Sequence, residues 1–262
     1  MMTFAFDLIS DLHVEDNPEL DWQDQATSRF CLIAGDVSKD VTKVRTTLKK
    51  IGDHYESVFY IDGNNEHYNS MDNLMSSYPK LHKLLARSGP NSLFLRDKVV
   101  IINDVAILAA NGWYSFDYLA HISVEESKQS LCQYMDIPGA AADWMKVLGE
   151  SDVEYLTRSV SKLQKYIDVK KIIIMTHTPP LARFVEHDPD LADSWRLNTT
   201  LNIQLSSVLA KDTEKKIKVW CFGHYHWPVD ETVDGVRYVC NPLGKSSTPW
   251  YRSPYFAKRI EI

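Results

Sequence analysis

The sequence predicts an α/β fold built on largely parallel β-sheets. Three observations lead there. Continuous apolar runs of strand length recur, as in Arg29-Phe30-Cys31-Leu32-Ile33-Ala34 and Lys171-Ile172-Ile173-Ile174-Met175, and read as strands buried on both faces. Stretches of helical periodicity lie between them, which crossovers between parallel strands require. Apolar runs also end repeatedly, within a few residues, in an Asp, an Asn or a His, on the sheet edge where ligands gather in such folds.

In chain order, Phe4 to Ile9 reads as a strand that runs into Ser10-Asp11-Leu12-His13. The second strand, Arg29 to Ala34, closes on Gly35-Asp36. Val41, Val44, Leu48, Ile51 and Tyr55 then recur at steps of three and four, one face of an amphipathic helix. Val58 to Ile61 is a third strand, ending at Asp62-Gly63-Asn64-Asn65-Glu66-His67. Residues 70–87 show helical spacing at Leu74, Tyr78, Leu81 and Leu85, and Pro79 is expected to split or kink that helix.

Ser92 to Ala110 reads as strands, with Asn103-Asp104 as a tight hairpin turn. Residues 111–150 look irregular apart from a capping box at Ser123-Val124-Glu125-Glu126, and we read them as an excursion that walls a pocket. A second capping box, Ser151-Asp152-Val153-Glu154, predicts a helix starting there, with Leu156, Val160, Leu163 and Ile167 on one face. The fourth strand, Lys171 to Met175, ends at Thr176-His177. A polar loop follows to about Asn198, then a helix through Leu201, Leu205 and Val208. Lys218 to Phe222 is a fifth strand, ending at Gly223-His224-Tyr225-His226. Val229 to Val239 folds back on Asp234-Gly235, and Tyr255 to Ile262 closes the chain as a strand. With no repeat and no linker-like shift in composition, residues 1–262 read as a single domain.

Composition narrows the function. At 44% apolar and 24% charged, the chain has the balance of an ordinary globular protein. With 29 Lys+Arg against 35 Asp+Glu and no long run of one sign, it disfavours a nucleic-acid or anionic-membrane surface and favours a small substrate. The longest apolar stretch, Val99 to Ala110, is broken by Asn103-Asp104 and is too short to span a bilayer. Cys31, Cys132, Cys221 and Cys240 show no Cys-x-x-Cys spacing and read as free thiols of a reducing compartment. No basic leader precedes the first strand, so the expected location is cytoplasmic.

Five strand ends therefore bring Asp11, His13, Asp36, Asn64, His177, His224 and His226 to one edge. A single metal uses about four such groups, whereas a dinuclear site uses all of them if one carboxylate bridges. Two divalent ions about 3.5–4 Å apart suit phosphoryl transfer, because they clamp the attacking and leaving oxygens. The donor set of imidazole, carboxylate and amide oxygen, without thiolate, suits manganese, iron, zinc or cobalt.

These residues resemble the signature of the calcineurin-like metallophosphoesterases: Asp-x-His, Gly-Asp, Gly-Asn-His-Glu/Asp, a lone His, and Gly-His-x-His. They stand here as Asp11-Leu12-His13, Gly35-Asp36, Gly63-Asn64-Asn65-Glu66, His177 and Gly223-His224-Tyr225-His226. The resemblance implies a four-layer sandwich of two mixed β-sheets flanked by helices, with the metals at the C-terminal ends of strands. It implies one metal on Asp11, His13, Asp36 and His226, and a second on Asp36, Asn64, His177 and His224. It also implies hydrolysis of a phosphoester by a metal-activated hydroxide.

The departures shape the expected activity. Asn65 stands where the family usually has a histidine that assists the transition state, so Asn65 and Asp36 are the candidate catalytic residues. Val37-Ser38-Lys39 after Asp36 lacks the Asp-Arg-Gly of protein Ser/Thr phosphatases, and Lys39 sits where purple acid phosphatases carry a tyrosine. A phosphodiesterase bias follows, since an asparagine cannot supply a proton to a poor leaving group. Asn65, His67, Arg183 and His187 are the candidate substrate contacts, and Arg196, Lys245 and Arg252 are further cations that could clamp a phosphate. The rival reading is a degenerate member that binds metal or a phosphorylated ligand without efficient turnover.

Overall fold

Strand formation follows the apolar runs closely. A computed structural model of the chain describes residues 3–17, 20–85, 89, 91–186, 188, 191, 194–246, 251 and 254–262. In the first sheet the order is β11 (Lys258–Glu261), β1 (Ala5–Ile9), β2 (Phe30–Ala34), β3 (Ser57–Ile61), β4 (Ser92–Phe94), parallel except at β11. The second sheet runs β5 (Val99–Ile102), β6 (Val105–Ala109), β7 (Lys171–Met175), β8 (Ile217–Phe222), β10 (Val236–Cys240), β9 (Val229–Val233). Its four central strands are parallel and its two edges antiparallel.

Alternation along the strands stacks the sheets. Val105, Ile107 and Ala109 of β6 join Phe6, Leu8 and Leu32 of the first sheet in one buried core. Ala106 and Leu108 between them face the opposite way, into a second core, as the period of two demands. That second core is completed by Leu156, Val160 and Leu163 of the helix α4 (Gly139–Gln164). Helices α1 (Val41–Gly52) and α2 (Leu74–Leu85) pack on the first sheet through Val44, Leu48, Ile51, Leu81 and Leu85. The architecture is two mixed sheets flanked by helices, as the sequence implies.

Four expectations need correction. Residues 111–150 are irregular only as far as Ser123: α3 (Val124–Met135) starts there, with the Ser123 side chain accepting from the Glu126 amide, and about half of α4 follows. Helix α4 does not start at Ser151 but runs straight through it, because Asp152 is a buried interior residue whose carboxylate accepts from Gly112 N at 2.8 Å and faces Arg96 at 3.3 Å. Helix α2 also passes Pro79 unbroken. The lost backbone bond is offset there by burial of Leu74, Leu81 and Leu85. The helix expected through Leu201 is a 3-10 segment, Ile203–Lys211, preceded by the short helix Trp195–Asn198. Among the described residues no helix is long and apolar enough to cross a membrane, and the four cysteines are free.

Helix α4 passes the Trp113 loop at Gly149. A Cβ there would run into the Trp113 carbonyl and come within 3.1 Å of Asn202 Nδ2. Gly149→Ala gains about 1 kcal/mol of helix propensity, but backbone overlap costs about 1–3 kcal/mol. The expected outcome is a lower urea midpoint, against the sign that propensity alone gives.

Candidate metal centre

The turns after β1, β2 and β3 of one sheet meet those after β7 and β8 of the other. Their backbone is unusual. Asp11 (φ 52°), His13 (41°), Asp36 (55°), His224 (72°) and His226 (60°) all adopt positive φ, a conformation that costs about 1–3 kcal/mol per residue and clusters at functional sites. Close approach needs glycine at the strand ends. A Cβ on Gly35 would lie 2.5 Å from His177 Nδ1, and one on Gly63 would strike Asp36 Oδ1.

The side chains converge. Asp11, His13, Asp36 and His226 each offer a ligand atom, all within 4.8 Å of one another, and so do Asp36, His177 and His224. Asp36 belongs to both groups. Asn64 Oδ1 joins the second, 3.1 Å from His177 Nε2 and 2.9 Å from His224 Nδ1. All seven residues predicted from the sequence as metal ligands therefore stand together.

The contacts are ones a cation would resolve. His177 Nδ1 donates to the Ala34 carbonyl at 2.9 Å, which turns Nε2 towards Asn64 Oδ1 and, at 3.3 Å, Asp36 Oδ1. His13 Nε2 and His226 Nε2 face each other at 2.9 Å. Asp11 Oδ2, though buried, has no hydrogen-bond partner among the described residues. Donor atoms that confront one another, with a buried oxygen left over, fit a centre that holds positive charge.

The electrostatics agree. Burial pushes Asp36 up, but His177 and His13 hold it well below the usual carboxylate range. Burial would lower His177, yet Asp36 and Asp11 push it up to about 10. Burial and the neighbouring His177 lower His224 to about 3, and burial with His13 lowers His226. These two rings are neutral, the form in which imidazole binds a metal. The positive charge of Lys245 also reaches His13, His224 and His226.

The remaining candidates are placed differently. Asn65 is buried against Asp36: its backbone N donates to Oδ1 at 2.9 Å and its side-chain amide donates to Oδ2. His67 is fully buried and spends both ring nitrogens, on Asp62 Oδ2 at 2.8 Å and Ser77 Oγ at 2.6 Å. Arg183 is half exposed and pairs with Glu231. Arg196 is an exposed side chain over the Tyr134 ring. His187 and Arg252 lie outside the described residues. The Tyr114 ring stands 5.4 Å from His224, and Tyr118, Leu119 and Tyr225 pack with Ala182, Val185, Leu197 and Leu201. The stretch expected to wall a pocket thus reaches the His224–His226 turn through Tyr114.

Sequence reasoning missed the residues that hold this geometry. Glu66 accepts from Gly63 N at 2.7 Å, Asp36 N at 3.2 Å and Val37 N at 2.6 Å, and so ties the β2 and β3 turns together. Burial and the nearby Asp36 push it up to about 7, against the amides that favour its charge. Glu15 lies 3.8 Å from His13 Nδ1. Only the Glu in the Gly63-Asn64-Asn65-Glu66 run gave a signal, since no pattern marks the partners of a ligand.

Comparison with known proteins gives consistent findings. The family model described as calcineurin-like phosphoesterase matches residues 4–228. Protein L509 of Acanthamoeba polyphaga mimivirus, itself uncharacterised, is 22% identical over 270 residues, covering 94% of this chain and 93% of its own length. The phosphopantetheinyl hydrolase PptH from Mycobacterium tuberculosis superposes with a TM-score of 0.72 at 16% identity, over 98% of this chain and 95% of that one. GAP50, the anchor in the inner membrane complex of Plasmodium, gives 0.50 at 11% identity, over 100% and 81%. At such identities the structural likeness is one of fold, and the fold serves a hydrolase and an anchor alike.

Glu66→Gln puts an amide where four backbone donors converge, the fourth being Ser38 N at 3.4 Å, leaving at least one of them unsatisfied. The expected loss is about 1–3 kcal/mol of unfolding free energy, read from chemical denaturation. A wild-type midpoint would show that the carboxylate does not hold the two turns.

Proposed function

Because the chain belongs to the calcineurin-like phosphoesterase family, we propose that it is a dinuclear metal-dependent phosphoesterase biased towards phosphodiesters of small molecules. The observation that carries this reading is the shared carboxylate: Asp36 stands in both ligand groups. Asp11, His13, Asp36 and His226 would hold one ion, and Asp36, Asn64, His177 and His224 the other. Manganese, iron, zinc and cobalt all suit these donors. When bound, such a pair supplies an activated water and neutralises charge developing at phosphorus.

The chain's own residues account for the bias. Asn65 donates its amide to Asp36 and so steadies the shared carboxylate, but it has no proton to give a departing alkoxide at neutral pH. His67 is committed to Asp62 and Ser77. Lys245, whose charge reaches three of the imidazoles, would draw in a phosphate. Leaving groups that need no protonation are therefore favoured.

The deciding assay compares an aryl phosphodiester, an alkyl phosphate monoester and a phosphopantetheinyl ester, each with manganese, iron, zinc and cobalt. The last is included because the phosphopantetheinyl hydrolase PptH shares this fold. Turnover of the diester supports the reading. No turnover with any metal favours the rival, a member that binds without hydrolysing.

Two variants sharpen it. Asp36→Ala is expected to lose both metals by elemental analysis, and two full equivalents retained would refute the shared ligand. Asn65→His is expected to raise the alkyl monoester rate, since a general acid contributes about 10²–10⁴-fold, and to leave the aryl diester rate nearly unchanged. The bias is refuted if the wild type already prefers the alkyl monoester and His67→Ala does not alter that rate.

A further inference from the structure

We propose that Asn111 is a positioning residue that sets the spacing of Asn64 and His177 by tying the two sheets together at the centre. The inference rests on the reading of this site as a metal centre, and Asn111 would touch neither metal nor substrate.

The need for such a tie follows from topology. Asn64 follows β3 in the first sheet and His177 follows β7 in the second, and no named strand of one sheet pairs with a named strand of the other. Besides Asn111, the sheets meet through the isolated bridges Ser10–Pro242 and Arg96–Ala109 and the His177 Nδ1 bond to the Ala34 carbonyl. Their facing atoms, Asn64 Oδ1 and His177 Nε2, are nevertheless held 3.1 Å apart. Asn111, just past the end of β6 and almost fully buried, reaches both sides. Its side-chain Nδ2 donates to the Asp62 carbonyl at 3.0 Å and to Asp62 Oδ2 at 2.9 Å, two residues before Asn64. Its own carbonyl accepts from His177 N at 2.8 Å and from Thr178 N at 3.3 Å. Asp62 Oδ2 is fixed from a third direction by His67 Nε2 at 2.8 Å. One residue thus connects the backbone of one ligand to the turn that bears the other. The buried His67 acquires a purpose in this chain of contacts: it steadies Asp62.

The test measures metal content by elemental analysis and metal affinity by titration. Asn111→Ala is expected to weaken the metal on Asp36, Asn64, His177 and His224 by about 10–100-fold, the usual effect of removing a ligand's supporting partner. The metal on Asp11, His13, Asp36 and His226 should stay. A purely structural role would instead weaken both alike and would overturn the proposal, as would wild-type affinity for both. Asn111→Asp sets two carboxylates against each other and should show the same selective loss. The pair Asp62→Asn with Asn111→Asp exchanges donor and acceptor between the side chains, leaves the residue-62 carbonyl without its donor, and is expected to recover part of the second metal's affinity. If it binds no better than Asn111→Asp, the tie is not the cause. Should the single variants fail to fold, the exchanged pair decides: folded with two metals upholds the tie, and folded with the second metal lost overturns it. A crystal structure of metal-free Asn111→Ala gives a readout independent of metal binding. An Asn64 Oδ1 to His177 Nε2 separation still at 3.1 Å would refute the tie even if the metal reading were sound. Wild type that binds no metal, with that separation widened in the variant, would refute the metal reading and leave the tie standing.

Discussion

One buried carboxylate organises this structure. Asp36 is 1% exposed, and an ionised group at that depth costs several kcal/mol unless charge is brought to it. His177 and His13 bring that charge, from opposite sheets, and Asn65 adds two hydrogen bonds from the next turn. None of these partners adjoins Asp36 in sequence. The carboxylate is tolerable only if both sheets present their strand ends to the same point, so packing of the sheets and formation of the site are one event.

That requirement explains the strained turns. Asp11, His13, Asp36, His224 and His226 hold positive φ, together several kcal/mol at about 1–3 kcal/mol each. They persist because each turn is fastened to a neighbour. Asp11 N donates to the Gly35 carbonyl, His13 N to the Asp36 carbonyl, Gly223 N to the His177 carbonyl, and Gly244 N to the Asp11 carbonyl. His224 N donates to the Asp11 carboxylate itself. The strain is spread over a mesh of backbone bonds, and no single turn could hold its conformation alone. The four amides that donate to Glu66 belong to the same mesh.

Much of this was legible in the residues, for an identifiable reason. Buried strands must be apolar throughout, and their ends must meet polar turns, so β1, β2, β3, β7 and β8 and the ligands that follow them stand out. The hairpins did too, because Asn103 (φ 54°), Asp234 (50°) and Gly235 (83°) supply the backbone that two-residue turns need. Local signals failed where a distant contact outweighed them. Ser151-Asp152 has the form of a helix start, but Asp152 serves as the acceptor for Gly112 and the partner of Arg96 from inside α4. Pro79 reads as a break, yet α2 is held by the core beneath it. The supports at Glu15 and Asn111 have no periodicity or spacing to betray them, since their partners lie in other segments, and Glu66 shows only as the last residue of its motif.

The cluster is also poorly balanced without a cation, and the imbalance has a direction. Four imidazoles and two carboxylates share one volume in which His224 and His226 keep part of their surface exposed, and these two rings are driven neutral while His177 retains its proton against burial. Protons can relieve only part of this. A proton on His177 satisfies Asp36 and attracts Asp11, but it gives Asp11 Oδ2 no hydrogen-bond partner and leaves the His13 and His226 nitrogens facing one another. A divalent ion satisfies several donors at once and at longer reach, which a proton cannot do. With positive charge among them, these donors are a set of convergent lone pairs. The strand ends and the backbone bonds between their turns hold that geometry, and such pre-organisation is what a site for phosphoryl chemistry needs.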